Sequence, residues 1–349
     1  MAARRILAHG ALLLASLGFA GALLEGALRL VYPPPLHFRY PQEFYDFDPE
    51  IAHALRPEQE AFTHDQPVSV NSRGLRDAEY AREPAAGVRR ILALGDSQTF
   101  GNGLPLADTW PKQLERRLGA AAAGPLRWEV LNAGIPGTDT WQHEILLRRL
   151  LDAYRAQAVV LAFYVNDVSP RWKPELRPER PSQRTNSGEK RLAYVLKRSV
   201  LVSLVLERLQ VLHRGAEAEQ GRDFEAYVLT GEPAPEVERG WEQVERSLAG
   251  MKALCDARGI PLLLAVLPRR DQVANAQPAR AYNERIAAIA ARQGIPAADL
   301  LPDLTAAFAD HGPALFLAWD GHNSALANRV IAEGLAARLE GLFARVAAR

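Results

Sequence analysis

The chain has 349 residues, of which 48% are hydrophobic, and its formal net charge is +1. This length is ample for a buried core, and the near-neutral charge gives no electrostatic reason to expect a nucleic-acid partner. A single cysteine, Cys255, excludes an intramolecular disulfide framework. The usual zinc-ligand spacings are also absent, so we expect no metal site.

The N-terminal segment, residues 1–35, predicts a membrane-spanning helix. Arg4 and Arg5 precede an apolar stretch, residues 6–24, which is about as long as the roughly 20 residues that cross a bilayer. The arginines predict that the N-terminus stays in the cytoplasm and that the following chain lies outside. A cleaved signal peptide is the alternative, because residues 20–22 (AGA) have the small-residue pattern of a cleavage site. A buried amphipathic helix is a third interpretation.

Residues 36–88 predict an irregular lead-in segment with short strands that packs on the following domain. Val68 and Val70 alternate with polar residues and precede the turn residues NSRG, which predicts a strand ending in a turn. We expect Arg73 and Arg76 to be solvated or structural rather than catalytic.

From Arg89 onward, predicted strands alternate with predicted helices. Short aliphatic runs are typical of strands buried on both faces, and amphipathic runs are typical of helices. The strands are predicted in RRILALG, EVLNAG, AVVLAFYVND and GIPLLLAVLP, and the helices in TWPKQLERRLG, TWQHEILLRRLLDAY, ARAYNERIAAIAARQG and SALANRVIAEGLAARLEGLF. This alternation predicts an α/β fold with a parallel sheet between two helical layers, a three-layer α/β/α sandwich.

Polar residues follow the predicted strands at the points where ligand sites form in such sheets. They are Asp96 and Ser97, Asn132 to Gly137, Asn166 and Asp167, and, before the final helix, Asp320 and His322. Each cluster alone has an ordinary explanation, such as a helix N-cap for Ser97 or Asp320, or a turn for Asn166 and Asp167. Three clusters at strand ends and a fourth just before the final helix favour one shared site.

Taken in order, the blocks GDSQTFG, NAGIPG, YVND and DGHNS resemble those of the SGNH hydrolases, also called GDSL-type esterases and lipases. The resemblance covers roughly residues 89 to 340, within a predicted hydrolase domain of residues 89–345. It implies a flavodoxin-like sheet and no metal or organic cofactor. The apolar N-terminal helix and the NSRGLR motif resemble a membrane-anchored or secreted bacterial branch of that family.

The resemblance also implies roles for individual residues. Ser97 would be the nucleophile, His322 its base and Asp320 the acid that orients the imidazole. The oxyanion donors would be the amides of Ser97 and Gly137 and the side chain of Asn166. These residue types suit acyl transfer, because a serine hydroxyl needs a neighbouring base whose pKa lies near neutrality.

Two features depart from the family pattern. Tyr164 stands where many members have glycine, and could narrow the pocket or redirect the backbone. Only Gly321 separates Asp320 from His322, whereas many members have two intervening residues.

Residues 168–239 interrupt the alternation and predict an insertion at the edge of the site. The insertion begins with a stretch rich in Pro, Arg and Lys and continues into the apolar piece LAYVLKRSVLVSLVLERLQVL. It could form a lid, bind an acidic glycan or touch the membrane. A solvated loop followed by a helix packed on the core is an equally good interpretation.

The sequence therefore predicts a serine esterase that cleaves acyl or acetyl esters of small molecules, lipids or glycans and has no nucleic-acid partner. The N-terminal helix would hold it in the inner membrane as a single-pass protein, with a periplasmic or extracellular catalytic domain. An O-acyltransferase acting on a cell-envelope polysaccharide is the alternative, and a non-catalytic module of envelope assembly is a further one.

Overall fold

The structure is a computed structural model that describes residues 2–31, 44–63, 66–121, 126–169, 199–202, 205, 224–317 and 321–347. The chain divides into two compact units. One comprises residues 1–40 and 183–222, and the other comprises residues 41–182 and 223–349.

The first unit contains a long N-terminal helix. Helix α1 runs without a break from Ala2 to Val31, as the apolar residues on both sides of Glu25 predict. Its stretch Ala8–Leu30 is long and apolar enough to cross a membrane, a test that a signal sequence also passes. The Glu25 carboxylate accepts hydrogen bonds from Ser199 Oγ and from the backbone amides of the next two residues. Residues 199–201 of the insertion's apolar piece are therefore hydrogen-bonded to α1.

In the second unit, two antiparallel hairpins precede the main sheet. Strand β1 (Tyr45–Asp48) pairs with β2 (Ala52–Leu55), and β3 (Gln59–Thr63) pairs with β4 (Gln66–Val70). The strand predicted around Val68 is thus confirmed as β4. Both hairpins contribute buried apolar side chains to the core that includes one face of the main sheet.

Five of the described strands form one parallel sheet. They are β5 (Val88–Gly95), β6 (Arg127–Gly134), β7 (Ala158–Phe163), β8 (Leu262–Val266) and β9 (Ala297–Asp299). Their order is β6-β5-β7-β8-β9, and each neighbouring pair is parallel. Counted from the first strand of this sheet the order is 2-1-3-4-5, the flavodoxin-like arrangement. The predicted parallel α/β sheet is confirmed.

Helices cover both faces of this sheet. They are α2 (Ser97–Phe100), α3 (Trp110–Ala121), α4 (Thr140–Tyr154), α5 (Phe224–Thr230), α6 (Pro235–Asp256), α7 (Arg270–Val273), α8 (Ala281–Arg292), α9 (Leu301–His311) and α10 (Ala325–Ala347). Side chains that alternate along β5 face opposite sides of the sheet and contribute to two separate hydrophobic cores. Leu92 and Leu94 face the core that includes α4, α6 and α8, whereas Ile91 and Ala93 face the core that includes α3, α9 and α10. The three-layer prediction is confirmed.

The structure refines the prediction around the insertion. Helix α6 begins at Pro235, inside the predicted insertion of residues 168–239, and α5 precedes it. Residues 170–198 and 206–223 lie outside the described residues, so the loop, lid, glycan and membrane interpretations stay predictions. Strand β9 and helix α9 were not predicted.

Candidate active site

Ser97 is the first residue of α2, and Asp96 alone separates it from the end of β5 at Gly95. The N-cap of α2 is Asp96, whose carboxylate accepts a hydrogen bond from the Gln98 amide at 2.9 Å. The capping role considered for Ser97 therefore belongs to Asp96. After a single turn α2 ends at Gly101, whose φ is 80°.

His322 meets Ser97 from the far end of the chain. The distance between His322 Nε2 and Ser97 Oγ is 2.8 Å, although 225 residues separate them. The neighbouring Asn323 amide donates to Gln98 Oε1, which holds the His322 loop beside α2. Asp320 lies outside the described residues, so its expected role stays a prediction.

Asn166 lies in a short 3-10 helix, Val165–Asp167, that follows β7. Its Nδ2 donates to Asp96 Oδ2 at 2.8 Å, so the third sequence block meets the first at the residue next to Ser97. Tyr164 has an extended backbone with φ −122° and ψ 164°. Any residue adopts that conformation, and the tyrosine therefore does not redirect the backbone.

The two glycines of the second block have different environments. Gly134 ends β6, and a Cβ atom on it would lie 2.1 Å from the Phe100 amide nitrogen, so this glycine permits close packing of β6 on α2. Gly137 has φ 78° and lies in the turn between Ile135 and Thr138. A Cβ on Gly137 would lie 3.9 Å from the His53 ring.

Two buried carboxyl groups, Asp96 and Asp167, lie among these blocks, each about 1% exposed. Burial raises the pKa of Asp96. Burial raises the pKa of Asp167 well above its usual range, and the charge of Asp96 raises it further. Asp167 accepts hydrogen bonds from Thr140 Oγ1 at 3.0 Å and from the Tyr164 amide at 2.8 Å. It thus joins the start of α4 to the turn that carries Asn166.

His143, on α4, is fully buried against the same loop. Its Nε2 lies 2.9 Å from Thr138 Oγ1, and its Nδ1 lies 3.4 Å from Asp167 Oδ1. Burial lowers the pKa of His143 to about 3, so the ring is neutral at physiological pH. No sequence pattern points to this role, because His143 is one polar residue in a predicted amphipathic helix.

Arg76 holds the other end of α2. Its guanidinium donates to the carbonyl oxygens of Phe100 at 2.7 Å, Gly101 at 2.9 Å and Leu104 at 2.6 Å. Burial lowers its pKa to about 10. The structural role expected for Arg76 is confirmed.

The described part of the chain contains no cluster of three or more His, Cys, Asp or Glu side chains arranged to hold a metal ion.

Comparison with known proteins places these features in a family. The model of the GDSL-like lipase/acylhydrolase family matches residues 93–330. No curated protein matches the chain.

The chain is also similar to several solved structures at low sequence identity. TesA is 17% identical, with a TM-score of 0.44, and the match covers 73% of this chain and 99% of TesA. A lipase/acylhydrolase from Enterococcus faecalis is 15% identical, with a TM-score of 0.39 and coverages of 72% and 96%. A catalytic mutant of Axe2, an acetylxylan esterase from Geobacillus stearothermophilus, is 14% identical, with a TM-score of 0.41 and coverages of 71% and 92%.

Proposed function

Because this ester hydrolase belongs to the GDSL-like lipase/acylhydrolase family, we propose that it cleaves carboxylic esters through an acyl intermediate on Ser97. The observation that carries the proposal is the 2.8 Å distance between His322 Nε2 and Ser97 Oγ. At this distance the imidazole can take the hydroxyl proton as the oxygen attacks.

The proposed reaction has two steps. His322 accepts the Ser97 proton while Oγ bonds to the ester carbonyl carbon, and it then returns that proton to the departing alcohol. A water molecule attacks the acyl-serine in the second step, again with His322 as base, and releases the acid. Asp320 would hold the imidazole in the required tautomer and stabilise its protonated form.

The negative charge that develops on the carbonyl oxygen needs donors. In the proposed oxyanion hole these are the amides of Ser97 and Gly137 and the Asn166 side chain. Asn166 Nδ2 carries two hydrogens, one of which bonds to Asp96, and the other would be directed at the oxyanion. Loss of one such donor costs roughly 100- to 1000-fold in rate.

The proposal includes a location. The described helix α1 has the length and composition of a membrane anchor, and Arg4 and Arg5 precede its apolar part. By the positive-inside rule, the hydrolase domain would lie in the periplasm or outside the cell, with α1 in the inner membrane. Its substrate there would be a small-molecule, lipid or glycan ester.

The test compares the full-length wild type with Ser97→Ala in detergent, using p-nitrophenyl esters of short and long acyl chains. We expect the wild type to hydrolyse a short-chain ester and Ser97→Ala to lose this activity while it keeps its circular dichroism spectrum. A folded Ser97→Ala protein that turns over the ester at the wild-type rate would remove the nucleophile assignment.

Two further arms separate the remaining interpretations. A glycan acceptor added to the assay detects acyl transfer, and absence of both reactions would favour a non-catalytic module. Asp320→Asn should lower turnover strongly if Asp320 orients His322, by up to about 10,000-fold in the best-studied triad. His322→Ala should be severe whether or not Asp320 takes part.

A further inference from the structure

The lead-in hairpin β1–β2 reaches the proposed oxyanion hole through one histidine. The distance between His53 Nε2 and the Pro136 carbonyl oxygen is 2.9 Å. A carbonyl oxygen only accepts hydrogen bonds, so Nε2 carries the proton and donates it. His53 lies outside residues 93–330, the range that the family model matches.

The bonded carbonyl belongs to the same peptide unit as the Gly137 amide. Because that unit is planar, the C=O of Pro136 and the N–H of Gly137 point in opposite directions. Fixing the carbonyl from one side therefore fixes the direction of the N–H on the other side.

This peptide has two accessible orientations. In the turn Ile135–Thr138, Pro136 is second and Gly137, with φ 78°, is third, as a type II turn requires. In a type I turn over the same residues, the φ of Gly137 would be about −90° and the central peptide would be turned over. Glycine allows both, so Gly137 by itself does not choose between them. The 3.4 Å hydrogen bond from the Thr138 amide to the Ile135 carbonyl closes either turn.

The hairpin itself is fixed to α4, which begins just after this turn. Gln142 donates to the Ile51 carbonyl at 2.7 Å, and Arg149 binds the Asp48 carboxylate with two hydrogen bonds of 2.7 and 3.0 Å. These contacts hold the hairpin against α4, and therefore next to the turn that precedes α4.

The backbone next to His53 is strained. Ala52 has φ 68°, a conformation that costs energy for any residue except glycine. The His53 amide also closes a tight turn onto the Ile51 carbonyl at 2.8 Å. The Tyr45 ring then packs edge-on against the His53 ring, with 5.1 Å between centroids. Strain of this kind persists where the surrounding structure holds a side chain in place.

We propose that His53 is a positioning residue that holds the Pro136–Gly137 peptide with its N–H directed into the oxyanion hole. The proposal rests on the acyl-serine function above, because it assigns a task to the Gly137 amide in that reaction. His53 itself takes no proton and forms no bond with the substrate.

The test uses full-length His53→Ala and His53→Gln in detergent with a short-chain p-nitrophenyl ester. Loss of the His53–Pro136 hydrogen bond should lower kcat by about 10-fold or more with KM little changed, because the Gly137 amide acts on the transition state. Glutamine keeps a side-chain N–H that can reach the Pro136 carbonyl, so His53→Gln should recover part of the lost kcat. A crystal structure of His53→Ala should show the Pro136–Gly137 peptide turned over or in both orientations.

Arg56→Ala is the matched control. Arg56 lies on the same hairpin and bonds to Asp46 at 2.8 Å, so its removal loosens the hairpin without touching Pro136. Its kcat should stay within about 2-fold of wild type. An unchanged kcat in His53→Ala, or an equal loss of kcat in Arg56→Ala, would overturn the positioning role of His53.

Failure of the proposed function looks different. A wild type that hydrolyses none of the esters contradicts the acyl-serine reaction. The orientation of the Pro136–Gly137 peptide in the crystal structure of His53→Ala then tests the positioning role of His53 separately. An unchanged type II turn in that variant overturns this role.

Discussion

Two buried carboxyl groups organise the residues around Ser97. Asp96 caps α2 and accepts the Asn166 side chain, while Asp167 joins the Asn166 turn to the start of α4. Each holds backbone and side-chain donors that would otherwise be buried without a partner. Burying the two carboxyls in one site has an electrostatic cost, because burial and the charge of Asp96 both raise the pKa of Asp167.

That cost predicts a pH-dependent effect of Asp167→Asn on stability. Because burial and Asp96 raise the pKa of Asp167, the folded protein binds this proton more tightly than the unfolded chain does. The stabilisation is complete below the ordinary aspartate pKa of about 4 and is lost as the pH rises through the folded-state pKa. The free energy of unfolding of Asp167→Asn minus that of wild type should therefore increase with pH above about 4, by at most about 1.4 kcal/mol per pH unit.

Denaturant titrations of the detergent-solubilised protein at several pH values measure this difference. Asp310→Asn, at an exposed position on α9, is the matched control and should give a difference that does not follow this trend. A difference for Asp167→Asn that is constant between pH 4 and 8 would contradict a raised pKa.

The element that carries Ser97 depends on its neighbours. Helix α2 has four residues, and one turn of helix is unstable by itself in water. Asp96 satisfies a donor at its N-terminus, and Arg76 satisfies carbonyls at its C-terminus. The lead-in segment thus supports the proposed nucleophile through Arg76 and contacts the proposed oxyanion turn through His53.

We expect Arg76→Met to be strongly destabilising. The carbonyls of Phe100, Gly101 and Leu104 would lose their common donor. The Phe100 and Gly101 carbonyls keep hydrogen bonds from Asn132 Nδ2 at 3.5 Å and from the Leu104 amide at 3.1 Å, so the largest cost falls on the Leu104 carbonyl. A buried acceptor left without a partner costs about 1–3 kcal/mol. The free energy of unfolding should fall by about 2 kcal/mol or more, measured by denaturant titration.

Arg73→Met provides the comparison, because Arg73 lies three residues earlier, is exposed and stacks on the Tyr154 ring. Its effect should stay within about 0.5 kcal/mol of wild type. Similar losses in the two variants would argue against the buried hydrogen bonds of Arg76 as the cause.

The topology of the sheet decides where the candidate site forms. The chain leaves β5 toward α2 and leaves β7 toward the Asn166 turn, and these two strands are neighbours in the order 2-1-3-4-5. The connections on either side of this point run in opposite directions across the sheet, which opens a crevice at the carboxyl ends of the strands. Ser97, Asn166 and the Gly137 turn follow three adjacent strands at that edge.

The location of the whole protein is tested by its topology in a bacterial membrane. Alkaline phosphatase fused after residue 40 should be active, because Arg4 and Arg5 predict a cytoplasmic N-terminus. The protein should also stay with the membrane fraction after washing at high salt. An inactive fusion would reverse the orientation, and a mature chain that starts near Leu23 would identify a cleaved signal instead of an anchor.

The alternation of apolar and amphipathic runs along the chain is enough to predict the layered fold and the strand ends at which a site is expected. Hydrophobic periodicity reports which faces are buried, and a parallel sheet places the carboxyl ends of its strands at one edge. The roles expected for Ser97, Asn166, Gly137 and His322 rest on the resemblance of their sequence blocks to those of the SGNH hydrolases. Strand β9 was missed because three residues carry too little periodicity to be recognised.

The side chains that support these residues are identified by the packing of segments that lie far apart in the sequence. His53 meets Pro136 across 83 residues, and Asn166 meets Asp96 across 70. His143 appears as one polar residue in an amphipathic helix until burial makes it a neutral partner of Thr138. Such contacts leave no local pattern, because they depend on how distant segments pack rather than on the spacing of neighbouring residues.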